Sequence, residues 1–220
     1  MASIRKYKGK SLVGFPHEYV LVDTETTGLS PGLDSIIEFG AVRYRNREVI
    51  DTFSTLVKPD SFYSESGTYG IAYISPFISN LTHITNEMLN TAPSMSSVLP
   101  DFLSFVKDSI IVGHNVNFDV NFIYDTSIKY EYTPFTNAFI DTLRLSKMLL
   151  PHMAHHRLQD LALLYGIDYS HAHRAIEDVY ITEEVYKGLY DEMIDQFESE
   201  EIFNRYVKPS ARIKTYEKGK

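Results

Sequence analysis

The stretch Tyr19-Val-Leu-Val-Asp23-Thr-Glu25-Thr-Thr-Gly-Leu29 decides how this 220-residue chain is read. It opens as a short apolar run, as a buried strand requires, and ends in a cluster of small and polar residues. Side chains alternate along a strand, so Asp23 and Glu25 point to one side and Thr24 to the other. Carboxylates this close repel, and each raises the other's pKa unless a cation lies between them. An isolated Asp-x-Glu is more often a solvated strand end. The flexible residues that follow let a backbone come close to a ligand and make this instance more specific.

Working outward, residues 35–44 and 48–57 are β-prone runs separated by Arg45-Asn46-Arg47, so the first three strands are expected as an antiparallel meander. Residues 58–80 show no convincing period, as in a functional or mobile loop. A helical stripe returns over residues 94–107 through Val98, Phe102, Leu103 and Val106. Residues 110–112 then read as a strand ending at Gly113-His114-Asn115, with a helix from about Asn117. Phe139-Ile140-Asp141 reads as another strand, and residues 157–165 and 174–190 read as helices. Strands alternating with helices give an α/β fold: a mixed sheet of about five strands, partly parallel, flanked by helices. Residues 1–17 are read as a lead-in segment, 18–190 as the functional domain, and 191–220 as a C-terminal helix with a basic tail.

The formal net charge is −8, but it is unevenly spread. Residues 1–10 carry +4 and residues 205–220 carry +5, which leaves −17 on residues 11–204. So acidic a body argues against a simple basic-patch nucleic-acid binder and suits carboxylates that hold divalent cations, which in turn meet phosphates. The chain has no cysteine, which excludes disulfides, thiolate metal sites and cysteine nucleophiles and fits a reducing, cytoplasmic setting. The longest apolar stretch, residues 161–167, is far below the ~18 residues of a membrane span. Residues 12–15, between the basic start and Pro16, are too few for a secretory apolar region.

Further polar groups fall where the strand ends should converge. Asn115 and Asp119 follow the fourth strand, and His173 and Asp178 stand at the start of a late helix; α/β folds place ligands at such edges. A spacing of five residues is about 140° around a helical wheel, so His173 is expected just ahead of the helix that carries Asp178.

Val-Asp-Thr-Glu-Thr-Thr-Gly-Leu (22–29), Gly-His-Asn-Val-Asn-Phe-Asp (113–119) and His-Arg-Ala-Ile-Glu-Asp (173–178) together resemble the three motifs of the DEDD 3′ to 5′ exonucleases, histidine branch. The resemblance covers roughly residues 18–190. Leu81-Thr-His-Ile-Thr-Asn-Glu-Met-Leu89, Ile140-Asp-Thr-Leu143 and His156-Arg-Leu158 look closest to the proofreading exonucleases of bacterial replicative polymerases. One departure is His83, where the family commonly has glycine. The resemblance implies a ribonuclease H-like fold and release of nucleoside 5′-monophosphates from 3′ ends of single-stranded DNA or RNA, with a DNA polymerase as a potential partner. It also implies two Mg²⁺ or Mn²⁺ ions about 4 Å apart, held by Asp23, Glu25, Asp119 and Asp178. Asp23 would bridge the ions, Glu25 and Asp178 would complete the water-activating site, and Asp119 would serve the leaving-group site. His173 would accept the proton of the attacking water, a task that suits imidazole, with a reference pKa of ~6.5.

Thr26, Leu29, Asn115 and Phe118 are the substrate-contact candidates, although Phe118 could equally be core and Leu29 a cap on the sheet. His114, His155, His156 and His171 need no role beyond packing or solvation, and His171 is the chief competitor of His173 as base. The tyrosine-rich run from Tyr63 to Tyr73 could stack on bases, but packing of a covering loop explains it as well. The competing functions are a 3′ exoribonuclease of the same branch, a non-catalytic docking module, which would not need all five polar groups, and a glycosidase, which would need only two acids.

Overall fold

A computed structural model of the chain describes residues 5–60, 72–170 and 172–213. Six strands, β1 (Ser11–Leu12), β2 (Glu18–Thr26), β3 (Ile36–Arg45), β4 (Glu48–Leu56), β5 (Ile111–Gly113) and β6 (Phe139–Asp141), form one sheet in the order β1-β6-β5-β2-β3-β4. The pairs β2–β3 and β3–β4 are antiparallel, giving the expected meander, while β2–β5, β5–β6 and β1–β6 are parallel. The sheet is the mixed α/β one expected, with one strand more than about five. The extra strand is β1, whose two residues are too few to show a period.

Eight helices lie among the described residues: α1 (Pro76–Thr82), α2 (Asn86–Thr91), α3 (Met95–Val106), α4 (Asn117–Lys129), α5 (Thr142–Leu149), α6 (Leu158–Tyr165), α7 (Ala175–Phe197) and α8 (Glu200–Tyr206). They cover both faces of the sheet, and strand alternation decides which residue meets which layer. Tyr19 and Leu21 of β2, with Val42 and Tyr44 of β3, pack against Val179, Val185 and Leu189 of α7. Val20 and Val22, with Phe39 and Ala41, face the other way into Phe102 of α3 and Val120 and Ile123 of α4. Continued toward the strand end, this alternation puts Asp23 and Glu25 on the α7 side and Thr24 on the α4 side.

Close backbone packing fixes α7. A Cβ added to Gly40 would lie 2.4 Å from the carbonyl carbon of Ala175, so only glycine at this point of β3 lets the helix start come so near. Helices α1 and α2 fall in and just after the segment that shows no period. At seven and six residues they span under two turns, and Ser75 and Thr85 cap them by accepting from the Ile78 and Met88 N–H groups. Tyr73, at the end of the tyrosine-rich run, packs with Ile37, Ile74, Ile84 and Leu89; residues 63–71 of that run lie outside the described residues. At the C-terminal end, Phe203, Val207 and Ala211 join the same core as Val13 and Phe15, and the Val13 N–H donates to the Ala211 carbonyl at 2.8 Å. Among the described residues no helix is long and apolar enough to cross a membrane.

Candidate active site

Asp23 and Glu25 leave the C-terminal end of the central strand on the face that α7 covers, and Asp178 stands in the first turn of that helix. Carboxylate oxygens of the three lie within 4.8 Å of one another. The strand is disturbed here, because the β2–β3 register shifts between Glu25 and Thr26; bulges of this kind commonly re-aim side chains next to functional sites.

Asp119 approaches from the opposite layer. It sits in the first turn of α4, buried, and its Oδ1 accepts from the Thr24 N–H at 3.0 Å and the Thr24 hydroxyl at 2.7 Å. Thr24, pointing away from Asp23 and Glu25 as expected, thus orients the acid from the other layer.

The electrostatics describe negative charge short of compensation. Burial is the largest influence on every one of these acids. Asp23 lies well above the ordinary carboxylate range through burial, then through the charges of Asp119, Asp178 and Glu25. Burial, followed by the charge of Asp178, pushes Glu25 to about 8. Asp119 rises to about 7, its burial only partly offset by the two Thr24 bonds. Asp178 rises to about 6, with burial opposed by the nearby His173 and its backbone N–H. Closely spaced oxygen donors that resist joint ionisation fit a hard divalent cation, which would favour their charged forms.

His173 lies ahead of α7 as expected. Its backbone is left-handed (φ 70°) and its N–H donates to the Asp178 carboxylate at 3.3 and 3.4 Å. Its imidazole is exposed, with the Tyr169 ring edge-on at a centroid distance of 6.0 Å. His171 lies outside the described residues.

The four substrate-contact candidates differ in setting. Leu29 is 84% exposed, too open to serve as a cap of the sheet. The buried Thr26 hydroxyl donates to the Gly28 carbonyl at 2.6 Å and closes the loop beneath Leu29. Asn115 is exposed in a left-handed conformation (φ 55°), with its N–H donating to Asp141 at 2.9 Å. Phe118 is half-buried, packed against Phe122 and the core.

Three further participants were not singled out from the sequence. Glu38 of β3 is opposite Glu25 in the ladder and 1% exposed. It accepts from the Arg174 guanidinium at 2.5 Å and from the Ala175 N–H at 3.0 Å. A lone acid inside the apolar run Ile36-Ile-Glu-Phe-Gly-Ala-Val42 was the available clue, since a buried carboxylate demands a partner. Arg174 lies inside the third motif, where its neighbours His173 and Asp178 held attention. The third, Tyr169, has its hydroxyl pushed up to about 12, first by burial and then by the charges of Asp178, Asp23 and Glu25, which places it beside the cluster. Nothing in its sequence context distinguishes it from the other fifteen tyrosines.

A mixed sheet whose central strand ends in Asp-x-Glu, with further acids brought in by one helix from each layer, gathers oxygen donors of the kind that can hold a divalent cation. The chain belongs to the exonuclease family, whose profile matches residues 20–186. Among curated relatives it is 38% identical over 185 residues to a DNA polymerase III PolC-type of Caldanaerobacter subterraneus subsp. tengcongensis, covering 84% of this chain and 12% of that protein. The PolC-type polymerase of Staphylococcus aureus is likewise 38% identical, over 187 residues, with 85% and 12% covered. The chain therefore spans about an eighth of the length of these relatives. Among solved structures, E. coli exonuclease I in complex with a dA16 oligonucleotide superposes with a TM-score of 0.65 at 21% identity, covering 88% of this chain and 46% of that one. Exonuclease X in complex with 5′ overhanging duplex DNA gives 0.59 at 24% identity, covering 79% and 91%. These two likenesses establish the fold, and the sequence matches establish the family.

Proposed function

We propose that the chain is a metal-dependent 3′ to 5′ exonuclease that trims single-stranded or frayed DNA ends, releasing nucleoside 5′-monophosphates in proofreading or repair. One observation carries the reading. Asp23, Glu25 and Asp178 gather their oxygens within 4.8 Å, with Asp119 held beside them by Thr24. Asp23 would face two ions, Mg²⁺ or Mn²⁺, with Glu25 and Asp178 completing one site and Asp119 the other. Bound there, the metal would activate water and stabilise the departing 3′ oxyanion.

The chain's own groups supply the rest. His173 would take the proton of the attacking water on its exposed imidazole, with the Asp178 carboxylate holding its backbone in place. Glu38 and Arg174 would fix the first turn of α7, and with it both His173 and Asp178. Leu29, largely exposed, would lie against the terminal base. Asn115 and the half-buried Phe118 would form the opposite wall, and the Thr26–Gly28 bond would hold the loop between them. A cytoplasmic setting and a DNA polymerase partner belong to the same reading, because the relatives are PolC-type polymerases.

The test is digestion of a 5′-labelled DNA oligonucleotide and a matched RNA with Mg²⁺, Mn²⁺ or EDTA. A ladder shortening from the 3′ end, on DNA and only with metal, is the expected result. No shortening under any divalent ion would remove the enzymatic reading, and faster loss of RNA would make the protein an exoribonuclease.

A further inference from the structure

Residues 142–159 depart from the rest of the body. In a region of net charge −17 they contain Arg144, Lys147 and Arg157 and three histidines, and no carboxylate. The fold draws part of this segment around an open cleft of about 490 Å³ lined by His114, Asn115, Lys147, His155, His156 and Arg157, together with the apolar Leu143, Ala154 and Leu158.

The cleft adjoins the acid cluster at two places. Asn115 lies two residues past the end of β5, which runs parallel to β2 and beside it, with Leu21 opposite Val112; Asp23 therefore emerges next to His114 and Asn115. On the other side Tyr169 lies within electrostatic range both of Arg157 and of Asp178, Asp23 and Glu25.

The cleft is also braced. The His114 Nδ1 is 2.9 Å from the Thr142 hydroxyl, and the ring lies close enough to the His156 backbone to be influenced by it. Burial pushes this imidazole down to about 4, so it is a neutral strut between the end of β5 and the loop that carries the cations. Arg157 is held by Asp160 at 2.8 Å, which neutralises that acid. Lys147, exposed on α5, makes no ion pair among the described residues. Its charge is felt at His114 and Asp141, on the cleft side.

A nucleic-acid strand whose 3′ end lies among four carboxylates meets repulsion wherever its other phosphates run, unless cations receive them. On the rim of this site, the cleft is lined by Lys147, Arg157 and three histidines and by no carboxylate, and of its two cations Lys147 is the one left without an acidic partner among the described residues, Arg157 being held by Asp160. We infer that it takes the phosphodiester backbone of the nucleotides on the 5′ side of the scissile bond, with Lys147 as the principal phosphate contact and Asn115 at the junction with the acids. The inference rests on the site reading given under Proposed function. It adds where the rest of the strand lies.

Lys147→Glu and its conservative partner Lys147→Arg test it, on a residue exposed enough for either change to leave the fold intact. Affinity for a fluorescein-labelled single-stranded 12-mer is read by anisotropy in Ca²⁺ and needs no turnover. Lys147→Glu should weaken binding roughly tenfold at about 50 mM salt and reduce the salt slope by about 0.7, the share of one phosphate contact on a single strand. Lys147→Arg should restore both. Turnover is then compared between the 12-mer and a nitrophenyl ester of thymidine 5′-monophosphate, which has no upstream phosphate. The ratio of kcat/KM on the 12-mer to that on the ester should fall at least severalfold in Lys147→Glu. Unchanged 12-mer affinity, or an equal fall on both substrates, overturns the inference. A wild-type protein that cleaves neither substrate defeats the exonuclease proposal instead, and the anisotropy measurement still decides the cleft.

Discussion

Raising the pH of the metal-free protein from 6.5 to 8 should lower its stability, and a divalent cation should remove most of that loss. Burial and the charge of Asp178 push Glu25 from 4.5 to about 8. Through most of this window the folded protein holds a proton that the unfolded chain has already released, and it is half-released by pH 8. A carboxyl raised in the folded state stabilises most below its unfolded pKa, and the contribution disappears as the pH climbs through the folded value. Across about 1.5 pH units, one such proton amounts to about 2 kcal/mol. For a chain of this size that is roughly 4–8 °C in Tm. Asp119 and Glu183, each pushed to about 7 mainly by burial, act in the same direction over the lower part of the window. Asp178, at about 6, has largely completed its change below it. The opposing group is His114, which burial depresses from 6.5 to about 4; its stabilisation is lost only as pH falls below 6.5, outside the window. A cation among Asp23, Glu25 and Asp178 takes over the proton's role, so Mn²⁺ should flatten the profile apart from the smaller share of Glu183. Thermal unfolding in EDTA and in MnCl₂ at the two pH values measures this directly. A Tm in EDTA that is level or rises toward pH 8, or an equal slope with Mn²⁺, would refute the reasoning.

Three substitutions probe other parts of the account. His173→Ala should lower turnover by roughly 10² to 10⁴, the range for losing a general base, while leaving metal binding by calorimetry intact; an unchanged rate would move the base elsewhere. Gly40→Val should destabilise the fold by about 1–3 kcal/mol or more in urea titrations, because its Cβ would meet the Ala175 backbone. Activity should fall with it although no acid is touched, and retained activity would mean that the start of α7 need not be fixed. His83→Gly should stabilise the protein by about 1 kcal/mol, since His83 ends α1 in a left-handed conformation with φ 58°; a loss of stability would show that the imidazole makes a compensating contact.

The parts of the molecule visible in the sequence were those where one strong pattern acts alone. The apolar run before Asp23 marked β2, alternation alone separated Thr24 from Asp23 and Glu25, and the Val98–Phe102–Val106 stripe marked α3. The glycine that the family commonly has at the His83 position is explained by structure: the residue there ends a helix with positive φ, which glycine adopts without strain. What stayed hidden depended on partners distant in sequence. β1 is strand only because Ser11 and Leu12 pair with Phe139 and Ile140. Glu38 matters because Arg174, 136 residues away, reaches it. Tyr169 neighbours the acids through a turn of chain whose course no local period records.

The most direct test of the central claim is an anomalous-scattering map from crystals of the protein grown with Mn²⁺ and a nucleoside 5′-monophosphate. The account predicts two manganese peaks that share Asp23, one also touching Glu25 and Asp178 and the other on the Asp119 side, with the phosphate between them and the His173 imidazole. Manganese bound away from Asp23, or no peak at these carboxylates at saturating metal, would contradict it.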